Sequence, residues 1–428
     1  MRVLSINTTF KNGGSTGRIV SDLNQIMLQN EIDSYVAYGI NDGIPDTQHI
    51  RCVQSSFELK KSQVQSRLFA RHGFYNVAAT KRLLAFIDSI NPDVIHLHNI
   101  HGYYVHCGML FDYIKLHDIP VVWTLHDCWA FTGWCAYFDY ANCDRWKTHC
   151  YHCPNIKEYP KAWITSRASS NYDLKMRTFC GVKNLTLVTP SKWLANLTRE
   201  SFLKDYQVKV INNGVDISIF KPVENKVKKE LHIEGKKMIL AVAGGLAKRK
   251  GSEYLIKIPS QLNEDEVLVI LGIRENQKKL LPSQKCIGIP YSNSLEKLAM
   301  IYSAADVFIN TTLEDNFPTT NIEALACGIP VVTFDTGGSI EAVLDNEHYV
   351  DLKNGKKSSV GGVVPKGDVE TMLCLVREIT SQEKKKYSEN CIRKAHEYYN
   401  RESQLMDYIK LYKEISKKKK YGHYTYYK

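Results

Sequence analysis

Short β-branched and apolar runs alternate with stretches of helical periodicity along this chain, and the alternation breaks off once and then restarts. The expected strands are 2–6, 34–38, 94–97, 121–124 and 185–189, then 238–243, 267–271, 285–287, 307–310 and 331–334. Between them fall expected helices at 17–29, 80–90, 295–302 and 320–326. Near-continuous apolar strands separated by helices specify parallel sheets covered on both faces, the doubly wound α/β architecture. The break is NNGVDISIFKP at 212–222, where Asn-Gly and a closing Pro read as a hinge. A chain of 428 residues is long for one domain and comfortable for two. The expected division is 1–215, 216–405 and a terminal helix with a basic, aromatic tail at 406–428. Two such domains joined by a hinge imply a cleft, with ligands held by loops beyond the carboxyl ends of the strands.

Hydrophobic content of 44% and charged content of 24% exclude disorder, collagen and coiled coil. No apolar run reaches the roughly 18 residues of a membrane-spanning helix. The opening MRVLSINTTF reads as a strand rather than a secretion signal, so a cytoplasmic protein is expected. The net charge of +11 is concentrated. Residues 60–82 hold six basic side chains and no acid, residues 413–428 hold six lysines and Glu414 alone, and the remainder balances. Two basic patches on a neutral body point to a local anionic surface rather than to nucleic acid. Leu68, Phe69, Phe74, Val77 and Leu83 interleave with the first patch, a pattern suited to an anionic bilayer or, more simply, to a solvated face.

The most specific stretch is EDNFPTTNIEALACGIPVVTFDTGG at 314–338. Pro318, Thr319 and Thr320 read as a helix start, with a Thr available as a cap. A helix N-terminus in a cleft binds phosphate, and Glu323, eight residues after Asp315, can then accept hydrogen bonds from hydroxyls that the phosphate carries. Without further context, the same pattern is a capped helix with surface acids. AGGLAKRKGS at 243–252 follows an expected strand and offers Lys248, Arg249 and Lys250 as anion ligands, or as a solvated basic loop. Asn12 to Arg18 is a Gly-rich strand-to-helix loop that is neither a dinucleotide fingerprint nor a P-loop. His126 follows a strand in TLHDCW, and His96, His98 and His101 lie along IHLHNIHG, where metal binding, an acceptor-side role and plain structure all remain open. Cys135, Cys143, Cys150 and Cys153 form C-x7-C-x6-C-x2-C in an aromatic insertion at about 128–160. That spacing suits a structural zinc, with His149 or His152 as substitutes, and buried thiols or disulfides are the alternatives.

With D-N-F-P-T-T-N-I-E-A-L-A-C-G-I-P-V-V beside IHLHNIHGYY and TLHDCWAFTGWCAY, the chain resembles family 4 glycosyltransferases over nearly its whole length, above all the bacterial exopolysaccharide and lipopolysaccharide subgroup. The resemblance implies a GT-B fold: two Rossmann-like domains facing a cleft, with the last helix returning to the N-terminal domain. It implies retaining, metal-independent transfer from a nucleoside-diphosphate sugar (UDP- or GDP-) to a lipid-linked or oligosaccharide acceptor, at the inner face of the cytoplasmic membrane. The implied catalytic residues are Glu323, His126 and Asp315. The implied donor-binding residues are Lys250, Arg249, Asn316, Phe317, Pro318, Thr319, Thr320, Gly14 and Gly13. Two positions depart from the family pattern: Asp315 replaces a Glu, and Gly245 replaces an Arg for which Arg249 would compensate. A nucleotide-sugar epimerase of the same shape and a catalytically inactive basic binding protein are the competing readings.

Overall fold

The structure, a computed structural model, describes residues 1–11, 14–244, 246–282, 284–292, 294–344 and 355–422, with side chains to residue 417. Gly13, Gly245, the lysines at 418–420 and the aromatic end of the tail lie outside the described backbone or side chains. The chain forms two compact units, Met1–Ile211 with the residues from Leu405 onward, and Asn212–Gln404. The changeover lies between Ile211 and Asn212, four residues before the expected division at 215 and at the start of the 212–222 segment.

Seven parallel strands build the first unit: β1 (Arg2–Asn7), β2 (Asp33–Tyr38), β3 (Ile50–Cys52), β4 (Val94–Leu97), β5 (Val121–Thr124), β6 (Leu185–Thr189) and β7 (Gln207–Val210). Their order is β3-β2-β1-β4-β5-β6-β7. Helices α1 (Gly14–Gln29), α2 (Ser56–Phe69), α3 (Val77–Ile90), α4 (Cys107–His117), α5 (Ala168–Phe179) and α6 (Lys192–Glu200) connect them. Every residue of β4, β5 and β6 is buried, which is why these strands read as unbroken apolar runs. The sequence reading missed β3 and β7. Both are edge strands, short and half-exposed, so neither needed an apolar pattern.

The second unit repeats the scheme with β8 (Lys237–Val242), β9 (Glu266–Leu271), β10 (Cys286–Ile289), β11 (Val307–Asn310), β12 (Val331–Phe334), β13 (Lys356–Ser358) and β14 (Gly361–Val364). The order is β10-β9-β8-β11-β12-β14-β13, parallel except for the β13–β14 pair. Its helices are α7 (Val227–Glu230), α8 (Ser252–Lys257), α9 (Leu295–Ala304), α10 (Thr319–Ala326), α11 (Val369–Thr380) and α12 (Lys384–Tyr399). The last two strands also escaped the sequence reading, because Lys-Lys-Ser and Gly-Gly carry little strand propensity.

The final helix, α13 (Arg401–Gly422), returns to the first sheet as expected. Leu405, Tyr408, Ile409, Leu411, Tyr412 and Ile415 join Val3, Leu23, Val94, Val122 and Val188 in one buried cluster. A polar thread runs through it. Thr124 Oγ1 donates to the Tyr408 hydroxyl at 3.2 Å, so it accepts from His96 Nε2 at 2.8 Å. His96 Nδ1 is then bare and takes the Tyr412 hydroxyl proton at 2.6 Å. Both nitrogens of His96 are thus committed to structure, and His96 is not free to ligate metal. Burial also holds its pKa well below the usual imidazole range. Among the described residues no helix is long and apolar enough to cross a membrane.

Replacing Tyr412 by Phe strips His96 Nδ1 of its donor and should cost about 1–2 kcal/mol. Urea unfolding followed by tryptophan fluorescence measures this loss, and an unchanged midpoint would contradict the thread.

Candidate active site

In each sheet the strand order reverses once, between β1 and β4 and between β8 and β11. At such a point the loops leave in opposite directions and open a crevice beyond the carboxyl ends, where ligands bind in doubly wound folds. Gly14, Lys250, Arg249 and Asp315 lie on the loops at these two points, whereas His126 follows β5, the next strand beyond β4.

In the second unit, the Lys248–Lys250 turn follows β8 and the Thr311–Pro318 loop follows β11. The two loops are laced together. Leu313 N donates to Arg249 O at 2.8 Å, and Arg249 Nη1 donates to Glu314 O at 2.6 Å. Lys250 Nζ forms an ion pair with Asp315. Gly251 makes this lacing possible: its φ is +71°, and any Cβ would collide with the Thr311 carbonyl. Gly337 does the same below Asp315, where a Cβ would strike the Asp315 carbonyl oxygen. Burial alone would raise the Asp315 carboxyl, but Lys250 and Arg249 outweigh it and hold it below its ordinary value.

Helix α10 starts on this loop. Pro318 occupies its cap position and no side chain caps it, so the Thr cap expected from the sequence is not formed. Half-buried Thr319 and Thr320 open the helix, while Asn316, Phe317 and Pro318 are buried. Phe317 packs on Tyr399, ring centres 5.6 Å apart, and its carbonyl accepts from Asn213 Nδ2 at 3.5 Å. Glu323 lies one turn into α10, half-buried, and accepts the Tyr302 hydroxyl proton at 3.0 Å. Tyr302 was not legible as a site residue, since it stands on the buried face of α9 like any core aromatic.

In the first unit, Gly14 opens α1 at φ +79°, while Gly13 lies outside the described residues. Thr8 Oγ1 donates to Asn99 O at 2.8 Å and ties the loop after β1 to the loop after β4. Around them the structure collects a histidine cluster. His98 Nδ1 and His126 Nε2 share a hydrogen bond of 3.0 Å, with the rings stacked. His101 Nε2 pairs with Asp127 Oδ2 at 3.0 Å, and His101 Nδ1 meets the Tyr159 hydroxyl at 2.9 Å. Asp127 Oδ1 accepts from Trp129 N at 2.9 Å. Burial raises the Asp127 carboxyl, but His101 and these hydrogen bonds carry it below its ordinary value. For His126 the order is reversed. Desolvation dominates over the Asp127 charge, and its pKa falls to about 4. The sequence named His126, His98 and His101 as candidates; Asp127, next to His126 in the chain, and Tyr159 meet His101 only through folding.

The four insertion cysteines gather around one small cavity with Trp134 and Trp146. All described cysteines are free thiols. As the side chains stand, no group of three or more described His, Cys, Asp or Glu residues could hold a metal ion.

Comparison with known proteins matches this layout. Residues 223–398 match the family model "Glycosyl transferases group 1", and residues 52–219 match "Glycosyltransferase Family 4". WcaC of Escherichia coli K12, named as a glycosyl transferase of colanic acid biosynthesis, is 26% identical over 359 residues, 80% of this chain and 85% of its own length. The N,N'-diacetylbacillosaminyl-diphospho-undecaprenol alpha-1,3-N-acetylgalactosaminyltransferase of Campylobacter jejuni is 25% identical over 52% of this chain and 58% of its own. The Anabaena protein HepE, solved in complex with UDP, superposes with a TM-score of 0.62 over 96% of this chain and 99% of its own, at 14% identity.

The neutral state of His126 has a measurable consequence. An unfolded chain takes up this proton near 6.5, and the folded protein resists it until about 4. Stability is therefore lost as pH falls through that window. The thermal midpoint should decline from pH 6.5 downward, and His126→Gln should flatten part of the slope. A midpoint that holds constant from pH 7 to pH 5 would contradict a buried neutral imidazole.

The two models together span most of the chain, which belongs to the glycosyltransferases they describe and has the GT-B fold of two parallel-sheet α/β units.

Proposed function

We propose that this glycosyltransferase is a retaining, metal-independent enzyme of cell-surface polysaccharide synthesis, moving a sugar from a UDP- or GDP-sugar to a hydroxyl of a lipid-linked glycan. The observation that carries the proposal is the set of charges at the strand-order reversal of the second unit: Lys250 and Arg249 on one loop, Asp315 on the next, and α10 starting four residues on. In this role Lys250 moves from Asp315 to the donor diphosphate, and the α10 N-terminus adds peptide dipoles. Both stabilise the charge that grows as the nucleoside diphosphate leaves. Glu323, oriented by Tyr302, accepts hydrogen bonds from the sugar hydroxyls. His126, neutral at pH 7, is a hydrogen-bonding group of the N-terminal unit rather than a cation. The transfer in this reading is a same-face substitution, with the leaving phosphate taking the acceptor proton. The relatives WcaC and the Campylobacter transferase, named for a polysaccharide and for an undecaprenol-linked acceptor, support the substrate class. HepE with UDP supports a nucleotide donor.

A bilayer surface is the proposed site of action. Helix α2 is inverted relative to an ordinary surface helix: it buries Ser62 and Ser66 and exposes Phe57, Val64, Leu68 and Phe69. Exposed Trp163 and Ile164 adjoin it, with Trp163 N donating to Arg67 O at 2.9 Å. Lys60 and Lys61 flank this apolar stripe, whereas Arg82 is drawn off by Glu58 at 2.6 Å. An apolar stripe rimmed by lysines complements anionic lipid.

A thermal-shift panel of UDP-, GDP- and ADP-sugars identifies the donor. Glu323→Ala and Lys250→Ala should each lower kcat/KM by about 100-fold or more with the fold intact, comparable to losing one charge-stabilising donor. Turnover should persist without added Mg2+ or Mn2+. Wild-type turnover of Glu323→Ala would refute the assignment, and donor conversion without acceptor would mark an epimerase.

Val64→Glu combined with Leu68→Glu should weaken sedimentation with anionic vesicles while leaving turnover on a soluble acceptor within about twofold, since each buried apolar side chain contributes about 1.5–3 kcal/mol. Equal losses in both assays would place α2 in the catalytic machinery instead.

A further inference from the structure

We propose that Cys135, Cys143, Cys150 and Cys153 bind one structural zinc ion as four thiolates, stapling the insertion that follows His126 and Asp127. The segment from Cys128 to Arg167, all of it described, contains no strand and no α-helix, only single 3-10 turns at Trp129–Phe131, Asp139–Ala141 and Arg145–Lys147. Loops of this length without secondary structure need another source of order. Yet this one is folded inward: Trp129, Phe131, Trp134, Phe138 and Trp146 are all buried.

Four features point to a metal. First, the four sulfur-bearing side chains line a single cavity of about 10 Å³, walled otherwise by Trp134, Phe138, Trp146 and neighbouring loop residues. That volume suits an ion better than any organic ligand. Second, the backbone supplies N–H donors to the sulfurs. Gly133 N donates to Cys150 Sγ at 3.1 Å, and the backbone at Asn155 donates to Cys153. Metal-bound thiolates are held by such outer contacts. Third, the indole N–H groups of Trp134 and Trp146 are buried beside the cavity without an acceptor. An unmet buried donor costs about 1–3 kcal/mol, and a thiolate sulfur would meet it. Fourth, Lys175 is 1% exposed and makes no ion pair with a carboxylate among the described residues. Its Nζ donates to the carbonyls of Trp129 at 2.6 Å and Thr132 at 3.0 Å, above the Trp129 ring. A buried ammonium calls for a counter-charge. Burial pushes the Lys175 pKa down to about 7 even though the neighbouring thiols and Asp127 oppose it, and Zn2+ with four thiolates, carrying two net negative charges, would supply the missing counter-charge.

In the present arrangement Cys135 and Cys153 share a thiol hydrogen bond. Binding replaces the four thiol protons, released to water, by one zinc at about 2.3 Å from each sulfur, drawn together by side-chain rotation. His149 is not needed as a ligand, because it is paired with Asp173 at 3.0 Å. The closed four-sulfur sphere leaves no position for substrate. Its effect on function is positional: Pro154 and the chain beyond it lead to Tyr159, whose hydroxyl meets His101 and so fixes the His101–Asp127 pair.

The test is metal analysis of the full chain, purified under reducing conditions from zinc-supplied cells. About one zinc per chain is expected by mass spectrometry, and refolding with Co2+ in its place should give thiolate-to-cobalt charge-transfer bands and the visible spectrum of a tetrahedral site. Cys153→Ser should lower zinc content to about a tenth, and Cys374→Ser should retain it, as four ligands are required. If Cys153→Ser fails to fold, the zinc content and cobalt spectrum of the unmodified chain still decide. Sub-stoichiometric zinc with no cobalt charge transfer overturns the proposal, as does an intact mass showing disulfides among these cysteines. Neither readout depends on sugar transfer, so the glycosyltransferase assignment stands or falls separately.

Discussion

A parallel sheet whose strand order reverses must leave a crevice at the reversal, because the helices on its two sides depart in opposite directions. Both units of this chain are built on that constraint, at β1–β4 and at β8–β11. The backbone there cannot be filled by regular structure. It is closed instead by loops whose spare hydrogen-bonding groups and charges lace one strand end to the next. In the second unit the lacing is cationic, Arg249 to the backbone carbonyl of Glu314 and Lys250 to the Asp315 carboxylate. In the first it is neutral, Thr8 to Asn99 and the paired imidazoles of His98 and His126. In the proposed function the two chemistries would serve two different ligands. An anionic leaving group needs cations and helix dipoles, whereas a hydroxyl acceptor needs neutral donors and acceptors.

Burial sets the electrostatic tone of each site. In the second unit two cations overcome the desolvation of Asp315 and keep it a carboxylate. In the first unit desolvation wins at His126 and keeps the ring neutral, although Asp127 is adjacent in sequence. Asp127 has directed its charge toward His101. Two neighbouring residues on one strand end therefore hold opposite relations to their surroundings, and no count of charged residues would show it.

The helix that returns to the first sheet shows how polar groups are accommodated in an otherwise apolar core. His96, Thr124, Tyr408 and Tyr412 join one another in a continuous chain of hydrogen bonds. That register fixes α13 along β4 and β5 more specifically than its leucines and isoleucines can, since apolar contacts tolerate sliding and a directional hydrogen bond does not.

The sequence determined the alternation of strand and helix, the break in it at 212–222, and the positions of Glu323, Asp315, Lys250 and His126, because each is local: a periodicity, a turn dipeptide, a side chain at a strand end. It also placed the cysteines within reach of one another. It was silent on β3, β7, β13 and β14, whose pairing is supplied by neighbours and not by propensity. Only the tertiary structure decided that Asp315 answers Lys250 across 65 residues, that Tyr302 orients Glu323, and that Tyr159 reaches His101. It also decided that Phe57, Val64 and Leu68 face outward while Ser62 and Ser66 face in. The physical reason is common to all of these. A side chain's partner and its exposure depend on which distant elements pack against it, and that information is spread over the fold rather than written beside the residue.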